Sequence, residues 1–389
     1  MFSRFVDRSY APTVRDNIDR LTIGRLVSNS CYRFAPPFIA VIARGLDVSV
    51  AEMGVAFMVG EFAGLLSPVV GRVIDRSNRL VTMLTGMAAI TGAVVLAAVS
   101  RDVVTFAVAM FVMSLSKVLF DTSLIVWIND HVPYERRGRI VGVIETSWAL
   151  SLFIGVAIMG VATVLVSWRA GFLVGAVAMA LSAFAIWRGL PHHDAHAPVS
   201  EHVRARVPSR AWWIFACGFL LMGASQCVTI TFGPWFEDEF GFTSGALIAV
   251  VVVLGVFELA SSVTSARTVD AMGKEIGARR GTFLMIAAGA VMVVGAHHGP
   301  VAVPAVILFV TGFEFALVCM LPLAANVVPG ASGIGLGMTV GAGTCGRAVF
   351  STIATALYDG SGPVAPAVCG ALLAVVAAGC LTAYARSAR

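Results

Sequence analysis

Charge is what this sequence has least of. Asp, Glu, Lys and Arg make up 13% of its 389 residues, while 58% are hydrophobic. Ordinary soluble domains are about 25% charged, and a chain of this size could not cover its exterior with so few polar groups. That excludes a soluble protein. The seven cysteines, Cys31, Cys217, Cys227, Cys319, Cys345, Cys369 and Cys380, fall in apolar segments without a CxxC spacing. They are expected as small apolar packing residues, not as disulfides or metal ligands. The glycines Gly330, Gly333, Gly335 and Gly337 follow no strand and precede no lysine, which excludes a nucleotide loop. No nucleophile–base pair and no metal motif appears, so neither an enzyme nor a cofactor is expected. The first twenty residues are polar, Arg-rich and carry three Asp, and the apolar run after them is too long for a signal-peptide core.

What fills the chain is apolar runs. They fall at 21–42, 51–70, 80–99, 103–127, 140–163 and 169–188, then at 211–233, 243–265, 281–297, 301–323, 333–356 and 364–385. A helical span of a bilayer needs about 20 mainly apolar residues, whereas barrel strands are about ten residues long with alternating polarity. The expectation is an all-α membrane protein with twelve transmembrane helices in two six-helix pseudo-repeat halves.

Basic residues set the orientation, because loops on the cytoplasmic side retain Lys and Arg. With the N-terminus inside, the inner segments hold Arg4, Arg8, Arg15, Arg20; Arg72, Arg76, Arg79; Arg136, Arg137, Arg139; Arg188, Arg204, Arg206, Arg210; Arg267, Lys274, Arg279, Arg280; and Arg386, Arg389. The outer side receives only Arg44, Arg101 and Arg169, and Arg25, Arg33, Lys117 and Arg347 lie within spans. Both termini are therefore expected in the cytoplasm, with the chain in the inner membrane. The basic net charge of +5 is explained without a nucleic-acid partner.

A polar linker at 191–210 separates an N-terminal half, 1–190, from a C-terminal half, 211–389. Its His192, His193 and His196, with His202, carry no sign of a fixed geometry, so it reads as a solvated linker and not a metal site. The halves are weakly alike. Gly71-Arg72-Val73-Ile74-Asp75-Arg76 parallels Ala266-Arg267-Thr268-Val269-Asp270-Ala271, and Asp130-His131-Val132-Pro133 parallels Asn326-Val327-Val328-Pro329. Repeated halves of this kind are a transporter architecture.

The segment Gly71 to Arg79 resembles the major facilitator superfamily signature after the second span, G-x-x-x-D-R-x-G-R-[RK]. The glycine, Asp75, Arg76 and Arg79 match; Asn78 replaces a glycine and Leu80 the last base. Val132-Pro133-Tyr134-Glu135-Arg136-Arg137-Gly138-Arg139 resembles the family's loop after span 4. Span 5 keeps the glycines Gly155 and Gly160 of an antiporter-associated pattern but not its proline, and span 4 lacks the family's usual basic residue near Ala109–Met110. The resemblance implies a cytoplasmic gate of Gly71, Asp75, Arg76, Arg79 and Arg136, with Asp75 facing the start of span 11. Gly71 would permit a tight exit from span 2, and a carboxylate suits a helix N-terminus.

Eight ionisable residues lie deep in the spans: Arg33, Glu61, Lys117, Asp121, Glu145, Glu258, Glu314 and Arg347. Each charge at the bilayer centre costs about 2.5–3.5 kcal/mol on insertion scales, so they are expected to pair, face a cavity or change protonation. Lys117 and Asp121 share a helix face at i,i+4. Glu258 and Glu314 are placed to surround Arg347. Arg25 and Glu52 lie nearer the ends of their runs and are expected to snorkel. Pro36-Pro37, Pro322 and Gly341, Gly343 and Gly346 either loosen their helices or allow close packing. Trp212-Trp213 reads as an interface anchor.

These features imply a monomeric alternating-access carrier that moves a small organic molecule and protons across a lipid bilayer, with substrate bound between the halves. Proton-coupled efflux is the leading expectation. Proton-linked uptake is the alternative within the class, and a non-transporting receptor or scaffold on the same fold is the alternative outside it.

Overall fold

The computed structural model describes residues 10–75, 77–191, 207–329 and 332–387. Among them every regular element is helical. The chain forms two compact units. One comprises residues 1–35 and 63–201, the other residues 36–62 and 202–389.

The first unit contains α1 (Pro12–Arg33) and α4 (Ser67–Asp75) to α9. α5 (Arg79–Val99) and α6 (Val103–His131) run against each other, and Gly86 lets them approach: a Cβ there would lie 2.9 Å from the Phe120 backbone nitrogen. α7 (Tyr134–Leu150) and α8 (Ala157–Leu165) are joined by a π-helical turn, Ser151–Val156. Gly155 in that turn seats on α1, where a Cβ would collide with Ser30 Oγ. α9 (Trp168–Gly189) closes the unit against α1 and α5. Phe34, Phe106, Trp168 and Phe172 pack there edge-to-face, with Phe34 and Phe172 centroids 4.8 Å apart.

The second unit contains α2 (Ile39–Leu46), α3 (Val50–Phe62) and α10 (Ala211–Thr229) to α16. α10 packs on α15 (Ser332–Ser361) and α16 (Val364–Ser387); α3 lies along α15. α11 (Phe232–Phe240) places Phe232, Trp235, Phe236 and Phe240 in one aromatic cluster with Phe242. α12 (Ser244–Met272) and α13 (Lys274–Val294) both pack on α14 (Gly299–Asn326).

The twelve apolar runs appear as twelve helical spans, with physical reasons where they are interrupted. Proline has no N–H and restricts the residue before it, so α1 stops ahead of a 3₁₀ turn at Pro36–Phe38 and helix resumes at Ile39. Span 2 is α3 and α4, separated by a second 3₁₀ turn at Ala63–Leu66. Both interruptions fall where the chain passes between the units, at residues 35/36 and 62/63. The pseudo-repeat shows in the elements themselves. α5 and α13 have equal length and lie 195 residues apart at both ends.

Nine described helical segments are long and apolar enough to cross a bilayer, among them α5, α6, α9, α14 and α16. The other three spans are the interrupted α1–α2 and α3–α4 and the glycine-rich α15. Large apolar side chains stand outward on the helices: Leu165 and Val166 are 76% and 77% exposed and Val294 86%. Water would penalise these surfaces; acyl chains do not.

Candidate functional site

The first unit buries a cluster of charges that α1, α6 and α7 build together. Arg25 and Asn29 are one helical turn apart on α1, Lys117 and Asp121 one turn apart on α6, and Glu145 comes from α7. Lys117 Nζ bonds the Asp121 carboxylate and, at 2.7 Å, Asn29 Oδ1. Arg25 Nε lies 3.6 Å from Asp121 Oδ1, and its Nη1 2.9 Å from Glu145 Oε1. Asn29 turns its amide nitrogen to Ser147 Oγ at 3.2 Å, which fixes its oxygen toward the lysine. The Lys117 ammonium also stands 5.8 Å from the centroid of the Tyr32 ring. Two cations and two carboxylates balance, as burial requires. Exposure is graded across the cluster: Arg25 and Lys117 side chains are 11% exposed, Asp121 25% and Glu145 51%.

Arg25 corrects the expectation of a snorkelling side chain. α1 begins at Pro12, nine residues before its apolar run, so Arg25 lies well inside the helix. Asn29 and Ser147, both fully buried, had not been singled out. The spacing Arg25–Asn29–Arg33 is the signal that could have found the stripe. Arg33 lies beyond it, stacked 4.5 Å over the Trp148 ring and donating to the Trp148 carbonyl at 2.9 Å.

The second unit contains a different pair. Arg347 on α15 donates twice to Glu61 Oε1, from Nε at 3.1 Å and Nη2 at 2.9 Å. α3 approaches α15 through a stripe of Gly54, Met58 and Glu61. A Cβ on Gly54 would collide with Thr355 Oγ1, and Thr352 Oγ1 donates to Met58 Sδ. Ser351 donates to the Arg347 carbonyl at 2.8 Å and accepts from Gln226 at 2.8 Å. Glu258 and Glu314 are buried, and Ser262 on α12 donates to Glu314 at 2.6 Å. Glu61 belongs to the first half of the sequence, and Arg347 comes to it from span 11.

At one end of this unit α11 presents consecutive acids. Glu237 pairs with Arg44 at 2.8 Å, Asp238 accepts from the Tyr358 hydroxyl at 2.6 Å, and Glu239 meets His297 at 2.7 Å. Nearby, Asp359 accepts from the Ala51 backbone at the start of α3. Glu52 there is exposed and forms a capping box with Ser49, at 2.8 and 3.1 Å, instead of snorkelling.

At the basic loops Arg79 is buried. It pairs with Asp130 at 3.1 Å and donates to the Ile74 carbonyl. Asn78, which stands where the family motif has glycine, caps α5 by accepting from the Leu80 and Val81 backbone at 2.9 and 3.2 Å. Gly71 does not form a tight exit: α4 continues through it to Asp75, with open space where its Cβ would be. Arg136 is exposed on α7. The Asp75 side chain, Arg76, Gly330 and the linker histidines lie outside the described residues.

The Major Facilitator Superfamily model matches residues 21–351 of this chain. The chain belongs to that superfamily. A relative in Escherichia coli K12, the putative uncharacterized transporter YgaY, is 30% identical over 175 residues, covering 44% of this chain and 43% of the relative. The uncharacterized MFS-type transporter YwfA of Bacillus subtilis 168 is 24% identical over 151 residues, covering 38% and 36%. Each curated match thus spans under half of the relative's length. Among solved structures, a bacterial homologue of the lysosomal transporter Spinster superposes with a TM-score of 0.78 at 12% identity, covering 96% of this chain and 97% of that one. The nucleoside transporter NupG gives 0.78 at 12% identity, with 94% and 99% covered. The human organic anion transporter MFSD10 gives 0.71 at 16%, with 95% and 100% covered. These likenesses establish the facilitator fold.

Proposed function

We propose that this protein is a proton-coupled secondary transporter of a small organic molecule, working by alternating access in an inner membrane with both termini cytoplasmic. The observation that carries the reading is the sharing of partners around Asp121. Lys117 has a second acceptor in Asn29, and Arg25 has one in Glu145. Protonating Asp121 therefore strands neither cation, whereas removing Lys117 or Arg25 leaves a carboxylate short of charge. That arrangement makes Asp121 the group able to gain and lose a proton during a cycle. Arg33, Lys117 and Arg347 suit anionic groups of a substrate or the resting carboxylates, and Glu61 and Glu314 are the reserve proton sites.

Export is the direction we assign, from the overall resemblance to efflux members, although span 5 keeps only the glycines Gly155 and Gly160 of the antiporter-associated pattern and not its proline; uptake with protons is the competing direction. The gate of Asp75, Arg76, Arg79 and Arg136 is assigned to the cytoplasmic side, with the Arg79–Asp130 pair as its described part. Reconstitution in liposomes with an imposed pH gradient, screening labelled metabolites in both directions, tests the reading. Gradient-driven flux that depends on Asp121 supports it; flux indifferent to the gradient overturns the coupling.

A further inference from the structure

α12 and α13 each lie along α14 and touch each other little. Ser261 of α12 donates to the Thr311 carbonyl at 2.9 Å. α13 meets α14 backbone to backbone at Gly281, where a Cβ would stand 2.5 Å from the Ala316 nitrogen and 2.6 Å from the Gly312 carbonyl oxygen. Two helices held on a third but not on each other leave a cleft between them. Its volume is about 320 Å³ and its floor is Thr311 and Phe315.

The cleft is polarised along its length. Phe257 and Leu284 line the part farther from the α12–α13 turn at Gly273, Ala260 the middle, and Thr264 and Arg280 the part nearer that turn. From Phe257 to Thr264 the helix rises about 10 Å. Phe257 is 42% exposed and Arg280 is exposed. Among the described residues Arg280 makes no ion pair, and Arg267, Lys274 and Arg279 add positive charge around the same turn.

We propose that this cleft binds one anionic phospholipid, with an acyl chain along Phe257, Ala260 and Leu284 and the headgroup phosphate on Arg280. An apolar slot ending in a guanidinium is complementary to an amphiphile with a negative head. A bilayer supplies acyl chains to every outward cleft, so the arginine is what selects among them: a guanidinium forms charge-assisted hydrogen bonds with phosphate oxygens and favours a head whose negative charge no ammonium of its own offsets, and basic pockets between helices at the cytoplasmic surface are a recognised lipid chemistry.

The test uses the full-length protein in neutral detergent with equal amounts of dioleoylphosphatidylglycerol and dioleoylphosphatidylcholine, whose chains are identical. Native mass spectrometry counts the lipid retained. Both lipids carry the phosphate, but the choline ammonium cancels the charge of its own head, so beside Arg280 the wild type should retain phosphatidylglycerol over phosphatidylcholine by about tenfold. Arg280→Gln should bring that ratio near one, Arg279→Gln should leave it unchanged, and Ala260→Trp, which fills the slot, should lower retention of both lipids. Equal retention by the wild type overturns the site. So does a preference that survives Arg280→Gln, or one lost equally with Arg279→Gln, since that marks diffuse surface charge. If the protein is a dimer that Ala260→Trp makes monomeric without changing lipid retention, the cleft holds a second copy and the proposal falls. Should Ala260→Trp fail to fold, the two arginine variants decide the matter alone.

Discussion

Asp121 receives two cations, each of which keeps another acceptor, and this asymmetry predicts how variants differ. Asp121→Asn should abolish gradient-driven accumulation while preserving exchange between equal pools, because the amide mimics a carboxyl that never releases its proton. Both fluxes measured in the same liposomes check this, and wild-type dependence on the pH gradient in the variant would transfer the role to Glu61 or Glu314. Lys117→Ala should be worse for folding, since it leaves Asp121 and Glu145 to share the single cation Arg25. The double variant Lys117→Ala/Asp121→Asn should recover part of the lost membrane expression on quantitative immunoblots. The pair itself was legible in sequence, because four-residue spacing on a helix is geometry. Arg25 was not. Hydropathy places the start of span 1 at the apolar run, while the helix starts nine residues earlier in polar sequence, and that extension turns an apparent end position into an interior one.

The stripe of Gly54, Met58 and Glu61 commits α3 to α15 at the level of whole elements. Gly54→Leu should prevent that approach, because the new side chain begins where Thr355 and Ser351 already stand; loss of monodisperse protein in gel filtration is the expected readout. Gly71→Ala should instead be tolerated and raise helix stability by about 0.5–1 kcal/mol, since nothing lies near its Cβ position. α6 starts on Asp102, whose carboxylate accepts from the Thr105 backbone at 2.8 Å and from its hydroxyl. The Thr105 backbone N–H, and then its hydroxyl, hold the Asp102 carboxyl below its usual pKa. A lowered carboxylate contributes stability above its unfolded pKa and loses it as pH falls through the folded one. The melting-temperature gap between wild type and Asp102→Ala should therefore be open at neutral pH and close in acid. The proline-induced break in span 1 was readable from Pro36-Pro37. So was the 3₁₀ turn at Ala63–Leu66, because Pro68 at the start of α4 has no N–H to give the Gly64 carbonyl. The π turn at Ser151–Val156 was not, because no backbone-restricting residue stands at it; packing on a neighbouring helix accompanies it, as Gly155 against Ser30 shows.

For the molecule as a whole, the fold was largely legible: run length gave the spans, and matching loops gave the repeat that α5 and α13 display. The proposed orientation rests on the distribution of arginine. Reporters active only in the cytoplasm, fused at each terminus and inserted at residue 195, should all be active, and a silent reporter at 195 would reverse the assignment. What could not be read is the company that residues 36–62 keep, because hydropathy specifies an apolar face but not the helix that will cover it. Those residues complete their packing with α11, α12 and α15. Glu61 and Arg347 stand 286 residues apart in the chain, and ribosomes add about 5–20 residues per second. During synthesis Glu61 is therefore made about 15–60 s before Arg347. Through that interval the nascent protein must hold Glu61 by contacts other than those of Arg347, or leave α3 short of its final depth. The order in which the chain is made thus imposes a requirement that the finished structure no longer displays.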